Sequence, residues 1–289
     1  MSNATAVSRV LDIVDAARSR GKVVLVSSAV SGCTDALIAM SEAEPRAREK
    51  AAKALLERHY AIASRLFTGK ERRDIFQVLL DTCKDLLDAD PADYQTFGEL
   101  FSTRIIAAKL RCDGVSALWI DARDLIRTSK GKVDKEISYK KIREAIAVHP
   151  EVEVFVVPGF IASDEKGHVC TLGRGGSGYS ASLFAAALEA DDLQIWTDVP
   201  GIMTTNPKDV RAARTIPQIS YDAAFLLAAH GAKVLYAPSV QPAMESGLAM
   251  HILDTFHPGL PGTVVKAIPR AERGAWVGIA CEKLEGESR

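Results

Sequence analysis

The stretch Leu172-Gly173-Arg174-Gly175-Gly176-Ser177-Gly178-Tyr179-Ser180-Ala181 sets four glycines, an arginine and a serine between a β-like run and a helix-forming run. A glycine-rich turn at the start of a helix frees backbone N–H groups to converge on phosphate or carboxylate oxygens, and the helix N-terminus adds partial positive charge. The expected ligand is therefore anionic. The same string also fits the G-x-G-x-x-G dinucleotide fingerprint from Gly173 to Gly178, with Asp198 about twenty residues beyond it. A third reading is a plain strand-to-helix turn beside a solvated Arg174. A serine-hydrolase elbow is excluded, because Tyr179 stands where that turn needs glycine.

Outward from this turn, the apolar pattern alternates between two periods. Val7, Val10, Leu11 and Val14 recur at helical spacing, and Val23 to Val26 is a continuous apolar run that reads as a buried strand. From Ser41 to about Pro91, Leu55, Leu56, Tyr60, Leu66, Ile75, Phe76, Leu79, Leu80, Cys83 and Leu87 mark a helical insertion. Tyr94–Arg111 continues as helix, Val115–Ile120 reads as strand, Tyr139–Val148 as helix and Val152–Val157 as strand. Ser177–Ala190 is helical, Leu193–Val199 a strand, Tyr221–His230 a helix and Met250–Leu253 a strand, with Pro and Gly between them. The Pro- and Gly-rich segment Phe256–Gly262 reads as the edge of the main domain. Alternation of this kind predicts an α/β fold with a mostly parallel sheet and helices on both faces. Ligands of such sheets gather at the strands' carboxyl ends, which here are the loops 27–34, 159–164 with 172–178, and 197–205.

Composition narrows the partners. The chain has 289 residues, 47% of them hydrophobic and 25% charged, enough for one large or two closely packed globular domains. A formal net charge of −1 supplies no global field for nucleic acid or an anionic membrane, which points to a small ligand. Cys33, Cys83, Cys112, Cys170 and Cys281 are odd in number and form no C-x-x-C pair, so they read as reduced core thiols with no metal site. No apolar run reaches the ~20 residues of a membrane helix and no secretory pattern opens the chain, so a cytoplasmic protein is expected.

Several strings taken together resemble one family, the aspartate kinases of the amino acid kinase superfamily, from about Val7 to Val265. They are SSAVSGCTDAL (27–37), GELFST (98–103), VPGFI (157–161), the glycine-rich decapeptide, WTDVPGI (196–202) and GAKVL (231–235). The resemblance implies an amino acid kinase-like three-layer sandwich at 1–265, with a substrate-side lobe to about 150 and a nucleotide-side lobe over about 151–265. Residues 266–289 would be a linker and the start of a regulatory ACT region. It implies transfer of the ATP γ-phosphoryl group to the side-chain carboxylate of L-aspartate, with Mg2+, in lysine, threonine and methionine biosynthesis. An aspartate side chain is already ionised at neutral pH, so no general base is needed. The obstacle is repulsion between anions, which cations and oriented N–H groups must offset.

By position in the matched motifs, Arg174 clamps a substrate carboxylate, Glu99 faces the substrate ammonium and Ser177 adds a hydrogen bond. Lys233 reaches the ATP phosphates and with Arg174 is the expected catalytic pair. Ser27, Ser28, Ser31 and Gly32 shape the phosphate-facing loop, and Thr197, Asp198, Met203 and Lys208 fall in the nucleotide-binding loop. The family also has features not met here. Its opening Lys-Phe-Gly-Gly-Thr-Ser loop has no counterpart, Gly178 stands for Asp, Met203 for Tyr, Lys208 for Arg, and Tyr236-Ala237 for His-Pro. Losing one such cation or donor costs about 3 kcal/mol in the transition state, so impaired turnover is expected. A strand left without its neighbour exposes backbone groups, so homo-oligomerisation is expected too. A nicotinamide-dependent oxidoreductase built on Gly173, Gly175 and Gly178, and a non-catalytic ligand-binding remnant, are the competing readings.

Overall fold

The computed structural model describes residues 2–207, 210–230 and 234–269, and the chain divides into two compact units at Gly173/Arg174. In the first, α1 (Ala4–Arg18) starts where the Asn3 side chain accepts from the Ala6 amide at 3.0 Å, an N-cap. It leads into β1 (Val23–Ser27), then α2 (Cys33–Ser41), α3 (Pro45–Leu66) and α4 (Gly69–Asp88). A 3-10 turn (Pro91–Thr96) precedes α5 (Phe97–Cys112), β2 (Ala117–Trp119), α6 (Ala122–Leu125), the strand pair β3 (Thr128–Ser129) and β4 (Lys132–Val133), and α7 (Lys135–Ala147). Then come β5 (Val154–Pro158), β6 (Ile161–Ser163) and β7 (Val169–Thr171).

The sheet of this unit has the order β1-β5-β2, all parallel, with Val23 opposite Val154 and Ala117 opposite Val154 on the other side. Every residue of β5 is buried, so both of its faces are covered, which is why Val152–Val157 reads as a continuous apolar run rather than an alternating one. Helices α3 and α4 form the expected insertion. Their apolar stripes zip together through Tyr60 and Phe76, whose rings stack at 4.1 Å.

The second unit begins with α8 (Gly176–Ala187) and β8 (Leu193–Thr197), followed by β9 (Gln218–Ser220), α9 (Tyr221–Ala229), α10 (Ala237–Ser246), β10 (Met250–Asp254) and β11 (Thr263–Lys266). Its sheet runs β8-β10-β11-β9, parallel except between β10 and β11. Ile219, Val240, Met250, Ile252 and Val265 centre its core.

The α/β class is as the sequence predicts, but its strands fall into separate sheets in the two units. The division lies later than the expected lobe boundary near 150, because β5 completes the first sheet between β1 and β2. Phe256–Gly262 is not a domain edge. It is the connection that returns β11 antiparallel to β10 and places it inside the sheet. The thiols are not uniformly core: Cys33 and Cys83 are buried, Cys170 is half-buried and Cys112 is exposed, while Cys281 lies outside the described residues.

Phe155 is fully buried at the centre of β5. Truncation there leaves a cavity between two covered faces, so Phe155→Ala is expected to cost about 3–5 kcal/mol. A urea titration checks this, and an unchanged midpoint contradicts the assignment of β5 as the core strand.

Candidate functional site

In the first unit the predicted phosphate-facing loop leaves the carboxyl end of β1. Ser27 is buried there, and its carbonyl accepts from the Gly159 amide at 3.0 Å. Beyond it, Gly32 adopts φ +72° as the N-cap of α2, with no side chain capping the helix. The Cys33 amide donates to the Val30 carbonyl at 2.8 Å, so the amides of Thr34 and Asp35 are the ones this helix start leaves for a ligand, beside the exposed Ser28, Ser31 and Gly32.

Helix α5 braces this turn from below. Glu99, 3% exposed, accepts from the Ala29 amide at 3.2 Å through Oε1, and the Ser102 hydroxyl donates to the Ser28 carbonyl at 2.8 Å. Such a close approach requires Gly98, since a Cβ at that position would lie 2.7 Å from the Ala29 Cβ. Glu99 is thus not an ordinary exposed helix carboxylate. Its second oxygen, Oε2, is buried with no hydrogen-bond partner. Burial pushes the Glu99 carboxyl up to about 7, against the opposing hydrogen bond from Ala29. A bare oxygen on a buried acid is costly unless a proton or a cation meets it.

The glycine-rich stretch crosses from one unit to the other. Leu172 is fixed to the first, its amide donating to the Phe160 carbonyl at 2.7 Å. In the second unit Arg174 is exposed in the turn before α8, Gly175 is the N-cap at φ +72° without a capping side chain, and Ser177 lies in the first turn of the helix. The side of Gly175 where a Cβ would project is filled, because that atom would lie 2.5 Å from the Tyr236 Cβ. Gly178 differs: it is helical, and a Cβ there meets only the Ser239 Cβ, at 3.9 Å. The dinucleotide reading fails on topology. The strand before this turn, β7, is half of an antiparallel pair with β6, whereas that fingerprint needs the first turn of a parallel βαβ unit.

The nucleotide-loop candidates sit at the carboxyl end of β8. Thr197 is half-buried and lies opposite Asp254 of β10, and Asp198 is exposed with its carboxylate 3.3 Å from the Thr197 hydroxyl. Met203 pairs with Thr215 in an isolated bridge that folds the loop back on itself. Lys208 and Lys233 lie outside the described residues. Sequence reading missed Asp254, which is 4% exposed and accepts from the Phe256 amide at 2.7 Å and pairs with His257 Nδ1 at 2.8 Å. It also missed Ser102, although GELFST contains it. Among the described residues no group of three or more His, Cys, Asp or Glu is placed to hold a metal. No helix among them is long and apolar enough to cross a membrane.

Comparison with known proteins converges on one family. Residues 1–254 match the model of the amino acid kinase family. The chain is 36% identical over 254 residues to the lysine-sensitive aspartokinase 3 of Escherichia coli K12, covering 83% of this chain and 57% of that protein. It is 31% identical to the aspartokinase of Chlamydia pneumoniae, covering 86% and 57%. Among solved structures it resembles E. coli aspartokinase III in complex with aspartate and ADP, with TM-score 0.83, 33% identity and coverage of 93% and 63%. The chain thus spans little more than half the length of these curated relatives.

The site makes two predictions. Because folding raises the Glu99 pKa above its unfolded value, the neutral carboxyl's stability is complete below about 4.5 and is lost as pH rises through about 7. Glu99→Gln should therefore match the parent near pH 4.5 and exceed it by roughly 3 kcal/mol near pH 8, at about 1.4 kcal/mol per pH unit. Urea melts across that range check it, and a pH-independent difference contradicts it. Gly178→Asp should raise stability by about 1 kcal/mol, from better helix propensity and an acid in the first turn of α8. A lowered denaturation midpoint would show that this position has no room for a side chain.

Proposed function

Because this chain belongs to the amino acid kinase family, we propose that it transfers the γ-phosphoryl group of ATP to the side-chain carboxylate of L-aspartate, giving 4-phospho-L-aspartate. The observation that carries the reading is the bare Oε2 of Glu99, a buried acceptor that an α-ammonium group satisfies in charge and hydrogen bonding. The likeness to an aspartokinase III solved with aspartate and ADP supports the same substrates.

The chemistry balances without a base. A carboxylate oxygen of aspartate forms a bond to the γ-phosphorus while the bond from that phosphorus to the β,γ-bridging oxygen breaks, and ADP leaves with the electron pair. No proton has to be removed from the nucleophile. What the protein supplies is positioning and positive charge. Glu99 holds the ammonium, Arg174 pairs with a substrate carboxylate through its planar guanidinium, and Ser177 adds a hydrogen bond. Lys233 is the phosphate cation, and Ser27, Ser28, Ser31 and Gly32 present the turn to phosphate. Thr197, Asp198, Met203 and Lys208 take the rest of the nucleotide. Mg2+ fits this chemistry as the companion of the nucleotide phosphates, which supply most of its ligands.

Calorimetric titration with ADP, L-aspartate and NAD, together with hydroxylamine trapping of acyl phosphate from ATP and L-aspartate, tests the proposal. Expected are binding of ADP and aspartate, no binding of NAD, and a slow hydroxamate yield that falls by about a hundredfold or more in Arg174→Ala. Binding of both ligands without any hydroxamate would favour a ligand-binding remnant. Binding of NAD alone would overturn the kinase reading.

A further inference from the structure

The arm formed by α3 and α4 reaches back to the turn after β1. Arg58 of α3 donates from Nη2 to the Ser31 carbonyl at 2.5 Å, and its Nη1 stands 4.0 Å from where a Cβ of Gly32 would be. The side chain reaches this place because its neighbour is anchored. His59 is fully buried, stacks on Phe101 of α5 with ring centroids 4.7 Å apart, and has Nδ1 2.8 Å from the Leu55 carbonyl. Burial lowers the His59 pKa to about 4, so this anchor is neutral and the charge at the turn comes from Arg58.

Helix α5 thus fixes the turn twice. Glu99 and Ser102 hold Ala29 and Ser28 directly, while Phe101 sets α3 so that Arg58 holds Ser31. Arg58 also lines an open groove of about 250 Å³ between α2 and α3, together with Leu37, Met40 and Leu55. The guanidinium carries five N–H donors and spends one on Ser31, and the residue is exposed. From this arrangement we propose that Arg58 is a positioning residue of the Ser28–Gly32 turn, holding its far end through Ser31 and presenting the remaining guanidinium donors to nucleotide phosphate. The phosphate half of this proposal rests on the reading of the turn given under Proposed function. The clamp half does not.

Hydrogen exchange of the backbone and titration with β,γ-imido-ATP, on the parent, Arg58→Met and Arg58→Lys, separate the two halves. In Arg58→Met the amides of residues 31–34 should exchange about tenfold faster, and nucleotide affinity should fall about tenfold, the size of one charge-assisted hydrogen bond. Exchange in α4 and α5 and the melting temperature should stay as in the parent. Arg58→Lys, which keeps a charged donor, should recover most of the affinity. Unchanged exchange at 31–34 in Arg58→Met overturns the clamp. Faster exchange there with unchanged nucleotide affinity overturns the phosphate role, as does a loss of affinity matched by faster exchange throughout α3 and α4. If the parent itself binds no β,γ-imido-ATP, the reading of the turn falls, and exchange at 31–34 alone decides the clamp.

Discussion

A carboxylate buried against a backbone turn, with one oxygen bonded and the other bare, constrains the first unit more than any other contact. Glu99 holds the Ala29 amide and leaves Oε2 without a partner. That geometry demands a glycine at 98, where any Cβ would collide with Ala29. It demands a hydroxyl at 102 to fix the Ser28 carbonyl. It also makes the local energy balance depend on protonation, since a charged acid in this setting lacks the second hydrogen bond that would offset its desolvation. A site arranged in this way stores an interaction that only a cation or a proton completes.

The second unit uses a different device for the opposite charge. Gly175 at positive φ starts α8 without a capping side chain, leaving the helix N-terminus for an anion. Tyr236 fills the space beside it, so this turn is set by packing from α10 as well as by its own sequence. Both units therefore open a helix with a left-handed glycine, Gly32 for α2 and Gly175 for α8. This recurrence suits chemistry in which two anions must be held without a general base.

Much of this was legible in the sequence, for reasons that can be named. Strands β1 and β5 announce themselves as apolar runs, although only β5 is buried throughout and β1, read as a buried strand, is half-buried along Val23–Val26. The α3–α4 arm announces itself through helical spacing of leucines and aromatics. The glycine-rich turn and GELFST pointed to Arg174, Ser177 and Glu99. Hidden from view were β9 and β11, too short to show a period, and the antiparallel return of β11 through Phe256–Gly262, where Pro and Gly signal a turn but not its destination. Equally hidden were the contacts that depend on tertiary placement. Nothing in the sequence near Arg58 tells that it reaches Ser31. Nor does the sequence mark Asp254, whose burial depends on tertiary placement.

The central claim is that Glu99 keeps a buried oxygen ready for the substrate ammonium. Carbon-13 NMR of the glutamate side-chain carboxyls, with Glu99 assigned by its absence in Glu99→Gln, tests this most directly. The account predicts a Glu99 titration midpoint near 7 in the free protein, moving well below that when L-aspartate binds and unmoved by succinate, which lacks the ammonium. An ordinary glutamate midpoint that L-aspartate leaves unchanged would contradict it.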